Sequence, residues 1–378
     1  MNKDKLPLHR AQAFARRFGL SAPVLMAPMA GACPPGLARA VADAGGMGAI
    51  GALLDQPEAI AAWVADFRAD TASPRPLQMN LWIPDPAPRR DAAHEQRVRQ
   101  FLQQWGPQID PMMVDGATVP HFERQCDALL AARPTAISSI MGLYPPAFVE
   151  RMQQLGIAWF ACVTTVEDAR AAQRAGADVI VAQGAEAGGH RGAFVAAEGA
   201  DRAAGLFALL PQVVDAVSLP VVATGGVADA RGIAAALLLG ASAVQIGSGL
   251  LRTDESSVPL AWRDAMAGCT PDGTRLTRAF SGRWGRALAS DYVIDAAASG
   301  APEPAPYPLQ RALTAAMRTQ AVRDDDISRM QAWCGQGAAL SGAGSATDLV
   351  SQLWRGAEAM LDARPIEASV SAAEALIE

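Results

Sequence analysis

Lysine is almost absent from this sequence. The chain of 378 residues has 32 basic side chains, and only Lys3 and Lys5, both at the amino terminus, are lysines. Schiff-base aldolases, pyridoxal-phosphate enzymes and Walker-A nucleotidases each need a lysine in the interior of the fold. The sequence therefore excludes these three classes of enzyme.

Histidine and cysteine are also scarce, and their spacing does not suit a metal. The 4 histidines include no His-x-x-x-His pair, and the 5 cysteines include no Cys-x-x-Cys pair. A zinc site would have no visible ligand set, so we predict no bound metal. The scattered, odd number of cysteines is typical of a reducing compartment, and no apolar signal segment follows the basic start. We therefore expect a cytoplasmic protein.

Other absences narrow the function further. The net charge of −6 disfavours a nucleic-acid-binding protein, and no G-x-S-x-G motif supports serine-hydrolase chemistry. The uncharged stretch 232–251 is interrupted by glycine, serine and glutamine, which indicates a helix, a turn and a strand instead of a membrane span. We expect a small-molecule enzyme that is a monomer or a homodimer.

Short apolar runs alternate with alanine-rich amphipathic segments along most of the chain. Hydrophobic residues make up 51% of the sequence and charged residues 19%, so the chain folds. Buried strands joined by helices are typical of a parallel sheet, and eight such units favour a closed (β/α)8 TIM barrel. The predicted strands are 24–27, 47–52, 77–83, 135–141, 157–163, 178–183, 220–224 and 243–247, and the helices are 35–44, 58–68, 122–132, 146–155, 166–175, 206–217 and 230–239.

Two stretches interrupt the alternation. The segment 84–120 is rich in proline and charge, and no strand pattern follows residue 252. We predict a barrel domain over 1–252, with 84–120 inserted near its mouth. A smaller, mostly helical cap subdomain follows over 253–378, and its last part, 325–378, is expected to pack back on the barrel.

Glycine-rich loops follow the seventh and eighth predicted strands. Barrel enzymes bind phosphate at these loops, because backbone amides without side-chain bulk can surround the anion. Gly225 and Gly226 stand after strand seven, and Gly247 and Gly249 after strand eight. The sequence Gly46–Gly51 matches the dinucleotide-binding pattern G-x-G-x-x-G but coincides with a strand, so it is not a Rossmann site.

His190 lies in a glycine-rich loop after the sixth predicted strand. Nothing in the surrounding sequence predicts its burial in a core, so we expect a flexible arch above the barrel mouth. A histidine there suits an acid, a base or an anion contact.

Several motifs in chain order carry a resemblance to a known family. They are Ala27-Pro28-Met29-Ala30-Gly31, Gln78-Met79-Asn80-Leu81, the stretch 183–192, Thr224-Gly225-Gly226, Gln245-Ile246-Gly247-Ser248, Ser281-Gly282-Arg283, Pro306-Tyr307-Pro308 and Gly335-Gln336-Gly337. From about residue 23 to about residue 353 the chain resembles the nitronate monooxygenases, formerly called 2-nitropropane dioxygenases. These are FMN-dependent (β/α)8-barrel enzymes.

The resemblance implies roles for individual residues. His190 matches the family's active-site histidine, which when protonated would hold the anionic substrate and could act as a base toward a neutral nitroalkane. Tyr307 matches a tyrosine of the branch that acts on alkyl nitronates and propionate 3-nitronate. The residues implied to bind FMN are Ala27, Pro28, Met29, Asn80, Gln183, Gly188, Gly225, Gly226, Gln245, Ile246, Gly247 and Ser248.

The sequence departs from the family pattern in a few places. After the fourth strand the family often has Ser-Phe-His-Phe-Gly, whereas this chain has Ser138-Ser139-Ile140-Met141-Gly142, so a second histidine near the pocket is missing. Ser248 stands where threonine is usual, which keeps the hydroxyl group. The substrate pocket is therefore expected to differ, while the FMN site is expected to be intact.

The implied reaction is oxidation of a nitronate by FMN and O2, through one-electron transfer and a flavin semiquinone, to a carbonyl compound and nitrite. An NADH:quinone oxidoreductase on the same scaffold is the nearest alternative, and an enoyl reductase of the flavin-barrel type is a more distant one. A flavin-free isomerase of a phosphorylated metabolite, or a binding protein without turnover, also fits the glycine-rich mouth.

Overall fold

A barrel of eight parallel strands forms the centre of the structure, a computed structural model that describes residues 6–70, 74–107, 114 and 120–362. Every strand begins and ends within one residue of its predicted bounds, so the predicted TIM barrel is confirmed. The barrel strands are β1 (Val24–Met26), β2 (Gly48–Gly51), β3 (Leu77–Trp82), β4 (Ala136–Ile140), β5 (Ala158–Val163), β6 (Val179–Gln183), β8 (Val221–Thr224) and β9 (Ala243–Ile246).

The ring of strands closes between its first two members. Consecutive barrel strands pair in parallel from β2 to β9, with β6 next to β8, and β1 pairs with β9 on its other side. A parallel bridge joins Leu25 to Met47, and the Met26 amide donates to the Met47 carbonyl at 2.9 Å. The sheet therefore has no free edge, as in other closed barrels.

Helices cover the outside of the barrel as the alternation predicts. Asp229 caps one of them through a 2.9 Å hydrogen bond that its carboxylate accepts from the Gly232 amide. Gly156 and Gly240 follow their helices with φ of +67° and +110°, the left-handed conformation that ends a helix. The helices between the strands are α2 (Pro35–Asp43), α3 (Pro57–Arg68), α5 (Phe122–Ala132), α6 (Pro146–Gln154), α7 (Val166–Arg174), α8 (Leu206–Ala216) and α9 (Ala230–Leu238).

A helix that we did not predict, α1 (Pro7–Phe18), packs under the barrel. Its Phe14 and Phe18 rings contact the ring of Phe160, whose centroid lies 6.3 Å and 5.1 Å from theirs. These three side chains belong to one buried cluster with inward-facing strand residues such as Leu25 and Val222. The helix therefore covers the end of the barrel opposite the strand carboxyl ends.

The two additions contain more regular structure than predicted. The first carries α4 (Ala92–Leu102), while 108–113 and 115–119 lie outside the described residues. The second contains two strands, β10 (Thr274–Thr277) and β11 (Gly285–Leu288). The prediction that no strand follows residue 252 was therefore wrong. The helices of this second addition are α10 (Leu260–Ala267), α11 (Asp291–Asp295), α12 (Leu309–Leu313), α13 (Ala315–Arg323) and α14 (Ala346–Asp362).

The last described helix, α14, lies against the outer helices of the barrel. The Thr347 hydroxyl donates to the Ala40 carbonyl of α2 at 3.0 Å, and Val350 and Trp354 join the core cluster under α2 and α9. The end of the predicted segment, 363–378, falls outside the described residues, and the domain boundary at 252/253 stays a prediction. Among the described helices, none has the length and apolarity needed to cross a membrane.

Candidate active site

A cavity of about 550 Å³ opens at the carboxyl ends of the barrel strands. Barrel enzymes build their active sites at this end. The additions complete the wall, through Trp262, Ser281, Arg311, Trp333 and Gly335 among others. The predicted site residues that line the cavity are Ala27, Pro28, Met29, Asn80, Gln183, Gly188, His190, Gly225, Gly226, Gln245, Gly247 and Ser248.

Ile246 is the one predicted FMN-binding residue that does not line the cavity. Its side chain is fully buried in the core cluster between strands and helices. Successive side chains of a strand point to opposite faces, so Gln245 faces the cavity and Ile246 cannot. The structure therefore does not bring the Ile246 side chain to the cavity, and its implied role in FMN binding stays a prediction.

Buried amide side chains form one wall of the cavity. Gln78 Nε2 donates to Ser138 Oγ at 3.0 Å and to Gln245 Oε1 at 3.3 Å, and Asn80 Nδ2 donates to Ser138 Oγ at 2.9 Å. The carbonyl oxygen of the same Gln78 side chain, Oε1, is buried and has no hydrogen-bond partner among the described residues. A buried acceptor without a partner is costly, and a ligand with an N–H group would satisfy it.

Gln183, at the end of β6, holds the loop that carries His190. Its Nε2 donates to the His190 carbonyl at 3.0 Å, and its Oε1 accepts from the Gly192 amide at 2.9 Å. Both ends of this amide are thus engaged within the protein. Gln183 therefore positions the loop that carries His190, and it also lines the cavity.

Glycines bring separate loops to close approach at one end of the cavity. An added Cβ on Gly188 would lie 2.5 Å from the Gly335 amide nitrogen and 2.8 Å from Ser248 Oγ. Gly225 and Gly226 have φ of +112° and +71°, which side-chain-bearing residues rarely adopt. The loops after β6, β8 and β9 therefore meet the 335–337 segment with exposed backbone.

His190 lies in a short strand, β7 (Gly189–His190), which contradicts the predicted flexible arch. β7 pairs antiparallel with β11, and β11 pairs with β10. The imidazole packs edge-on against Trp82 and Trp333, with centroids 4.6 Å from each. Its Nε2 forms a 2.7 Å hydrogen bond with Ser281 Oγ. The backbone and side chain of this histidine are therefore both fixed.

Burial lowers the pKa of His190 to about 3, and the positive charges of Arg283 and Arg311 lower it further. The imidazole is consequently neutral at neutral pH. This result differs from the protonated histidine that the resemblance implies. Ser281 Oγ donates to the Arg283 carbonyl at 3.2 Å, so the network favours a tautomer with the imidazole proton on Nε2.

Tyr307 lies behind Trp82 and does not line the main cavity. It lines a neighbouring cavity of about 210 Å³, with which the main cavity shares Leu53 and Trp82. The Tyr307 ring lies 5.3 Å from the Trp82 ring, and its buried hydroxyl has no hydrogen-bond partner in the described part of the chain. Burial raises the pKa of Tyr307. The structure therefore brings His190 and Tyr307 together through the indole between them.

An ion pair holds the loop after β3 against this site. Arg283, whose side chain is 3% exposed, donates to Asp85 through Nε at 2.8 Å and Nη2 at 2.6 Å. The pair is bidentate and lies two residues from Ser281. It connects the loop beside Trp82 to the segment that bonds His190.

Replacing Asp85 by asparagine is expected to lower the free energy of unfolding by about 1–3 kcal/mol, because the buried Arg283 charge would lose its partner. Urea denaturation measures the change. Asp127→Asn is the matched control, since the Asp127–Arg151 pair has side chains 61% and 52% exposed, and its loss should cost about 0–1 kcal/mol. Equal losses in the two variants would contradict the role of the Asp85 pair.

The family model described as nitronate monooxygenase matches residues 13–356 of this chain. The matched region contains the whole barrel, the three-stranded sheet around His190 and most of the cavity wall. This chain belongs to the nitronate monooxygenase family. It is therefore an oxidoreductase that acts on nitronates or nitroalkanes with O2.

Individual relatives agree with this membership. A nitronate monooxygenase of Pseudomonas aeruginosa is 38% identical over 90% of this chain and 97% of its own length. Another, from Paraburkholderia phytofirmans, is 36% identical over 89% of this chain and 92% of its own. The crystal structure of a nitroalkane oxidase from Streptomyces ansochromogenes superposes with a TM-score of 0.82 at 32% identity, covering 92% of this chain and 98% of that one. FabK from Thermotoga maritima, at 23% identity and a TM-score of 0.71, shares the fold.

Sequence reasoning missed several residues of this nitronate monooxygenase site. Trp82 and Trp333 enclose His190 from segments that are far apart in the chain, and Arg311 comes from a short helix of the cap. Trp82 lies one residue before the end of the predicted strand 77–83, and this position is a signal that could have identified it. Trp333 and Arg311 lie close to the motifs Gly335-Gln336-Gly337 and Pro306-Tyr307-Pro308 but outside them, and no strand pattern marked either residue.

Proposed function

We propose that this protein is an FMN-dependent nitronate monooxygenase that converts alkyl nitronates, including propionate 3-nitronate, to a carbonyl compound and nitrite. The observation that carries the proposal is the cavity itself. One end offers exposed glycine backbone, one wall offers an unpaired amide acceptor, and the histidine side is closed by indole rings. The glycine backbone suits a phosphate, the amide acceptor suits a flavin ring, and the side with the histidine and the indole rings suits a small organic substrate.

The amide wall fits the ring of the cofactor. An isoalloxazine ring carries one N–H donor next to carbonyl acceptors, and Gln78 Oε1 is a buried acceptor without a partner among the described residues. A cavity of about 550 Å³ lies within the size range of cofactor sites, roughly 300–1,000 Å³. Ala27, Pro28 and Met29 would pass beside the ring, with Asn80 at its polar edge.

The glycine end of the cavity fits the cofactor's phosphate. Gly225, Gly226 and the turn from Gly247 to Ser248 expose backbone at this end, where amide N–H groups can bind an oxyanion. None of the described residues that line the cavity is acidic, so no carboxylate there would repel the phosphate.

The bound flavin would supply the electron transfer to O2, and the chain would supply position and polarity. Trp82 and Trp333 pack against His190 and give this side of the cavity an aromatic wall. His190, neutral and bonded to Ser281, would present a fixed polar edge to the substrate. Tyr307 shapes this pocket through its contact with Trp82.

An anaerobic absorbance titration of the purified holoenzyme tests this function. We expect propionate 3-nitronate to change the flavin spectrum, and O2 to restore it with release of nitrite, while NADH leaves the spectrum unchanged. Bleaching by NADH with no response to the nitronate would make the protein a reductase. A protein purified without any flavin absorbance would overturn both flavin-dependent functions.

A further inference from the structure

The charged side chains of the main cavity are all of one sign. Among the described residues that line it, Arg311 and Arg318 are cationic, and there is no aspartate or glutamate. Since His190 is neutral, the positive charge of this wall comes from arginine. A cavity with this charge favours an anionic ligand.

Two nearby guanidinium groups are already engaged by the protein. Arg283 is paired with Asp85. Arg318 donates to Thr314 Oγ1 at 3.1 Å, to Gln331 Oε1 at 3.1 Å and to the Arg311 carbonyl at 2.9 Å. Its hydrogen-bonding groups are therefore directed into the cap.

Arg311 is different, because its guanidinium forms no ion pair or hydrogen bond with another described residue. It stands on α12 and lines the main cavity, close enough to act electrostatically on both His190 and Tyr307. Burial lowers the pKa of Arg311, but an arginine remains charged at neutral pH. A partly buried charge without a counter-ion is unfavourable until an anion binds it.

The Tyr307 hydroxyl, in the neighbouring cavity behind Trp82, adds an independent observation. It is buried without a hydrogen-bond partner among the described residues, and it lies within electrostatic range of the Arg311 guanidinium. Both groups are donors. An unsatisfied hydroxyl within electrostatic range of a guanidinium that has no partner in the described part of the chain indicates that this region of the site can take up a hydrogen-bond acceptor from a ligand.

We propose that Arg311 is the residue that binds the substrate's oxyanion and so determines that the enzyme selects anionic substrates. The planar fork of a guanidinium matches two oxygens on one carbon or nitrogen. The nitronate group and a substrate carboxylate both have this form. The inference rests on the proposed function, since the nitronate group is common to all the proposed substrates and the carboxylate belongs to propionate 3-nitronate.

The decisive experiment compares Arg311→Gln and Arg311→Lys with the wild-type holoenzyme on two substrates. Ethyl nitronate carries one oxyanion, whereas propionate 3-nitronate carries a nitronate and a carboxylate. We expect Arg311→Gln to lower kcat/KM roughly 10- to 100-fold through KM, the effect of losing one charged hydrogen bond. Arg311→Lys should recover part of the loss. Arg355→Gln, which removes an exposed arginine from α14, is the charge-matched control and should be unchanged.

The two substrates identify which oxyanion Arg311 binds. A loss confined to propionate 3-nitronate assigns Arg311 to the carboxylate, and an equal loss with both assigns it to the nitronate group. Unchanged KM for both substrates, or the same change in Arg355→Gln, would overturn the proposal.

A binding measurement separates this inference from the proposed function. We expect calorimetry to show that propionate, which cannot react, binds the wild-type holoenzyme and binds Arg311→Gln at least tenfold more weakly. Equal binding to both proteins would contradict the inference even if nitronates are substrates. A wild-type enzyme that oxidises neither nitronate would refute the proposed function and leave the propionate result to decide on Arg311.

Discussion

Gly188→Ala is expected to lose bound FMN while the barrel stays folded. The added methyl group would lie 2.5 Å from the Gly335 nitrogen and 2.8 Å from Ser248 Oγ, so the 334–335 backbone would have to move. That backbone joins the glycine loops at the end of the cavity that we propose binds the phosphate of FMN. Overpacking of this kind costs about 1–3 kcal/mol, equivalent to a roughly 5- to 150-fold weaker Kd for FMN.

Equilibrium dialysis of the apoprotein against FMN measures the effect, and circular dichroism checks the fold. Gly268→Ala is the control, because an added Cβ there has no atom within 4 Å and its backbone needs no positive φ. An unchanged Kd for Gly188→Ala would show that the close approach of these loops is unrelated to the cofactor.

Preformed nitronates are expected to be at least 100-fold better substrates than neutral nitroalkanes at pH 7, because general-base catalysis contributes about 10²–10⁴-fold when the base is well matched. The base nearest the site is poorly matched, since burial and two arginines hold the pKa of His190 at about 3. Its imidazole therefore stays neutral and accepts a proton from carbon only weakly. Initial rates with ethyl nitronate and freshly dissolved nitroethane test the ratio.

The pH dependence gives a second test of the same prediction. With a pKa of about 3, His190 stays neutral across the range from about pH 5.5 to 8, so kcat/KM for ethyl nitronate should show no histidine inflection there. A histidine with an ordinary pKa would give one near 6.5. Such an inflection, present in the wild type and lost in His190→Asn, would show that this imidazole titrates normally and would restore the protonated form.

The barrel could be predicted from the sequence because its signals are local. Each buried strand is a short apolar run, and several strands follow a helix that ends in glycine, such as the helices before Gly156 and Gly240. The helix α1 has similar local signals, including Pro7 at its start and Gly19 at its end, but it precedes the first β/α unit and was not assigned. The order of the barrel strands could thus be predicted from the sequence, whereas α1, the helix that covers one end of the barrel, was not predicted.

The active site was only partly predictable for a different reason. Gly188, Gly225 and Gly226 mark their loops through backbone requirements that sequence motifs record. The state of His190 depends instead on Trp333 and Arg283, which reach it through tertiary contacts. The burial and the nearby positive charges that set the pKa of His190 come from residues distant in the chain, so no local sequence pattern could predict that pKa.

The small sheet that fixes His190 also determines the order in which the site is assembled during synthesis. His190 and its partner Ser281 are 91 positions apart in the chain. At translation rates of about 5–20 residues per second, roughly 5–20 s separate the two on the ribosome. During this interval the emerging strands can already close the barrel, while the histidine has neither its hydroxyl partner nor the strand β11. Ser281 and β11 therefore become available to His190 only after all eight barrel strands have been synthesised, and a chain terminated before residue 281 would lack the hydroxyl that fixes the imidazole.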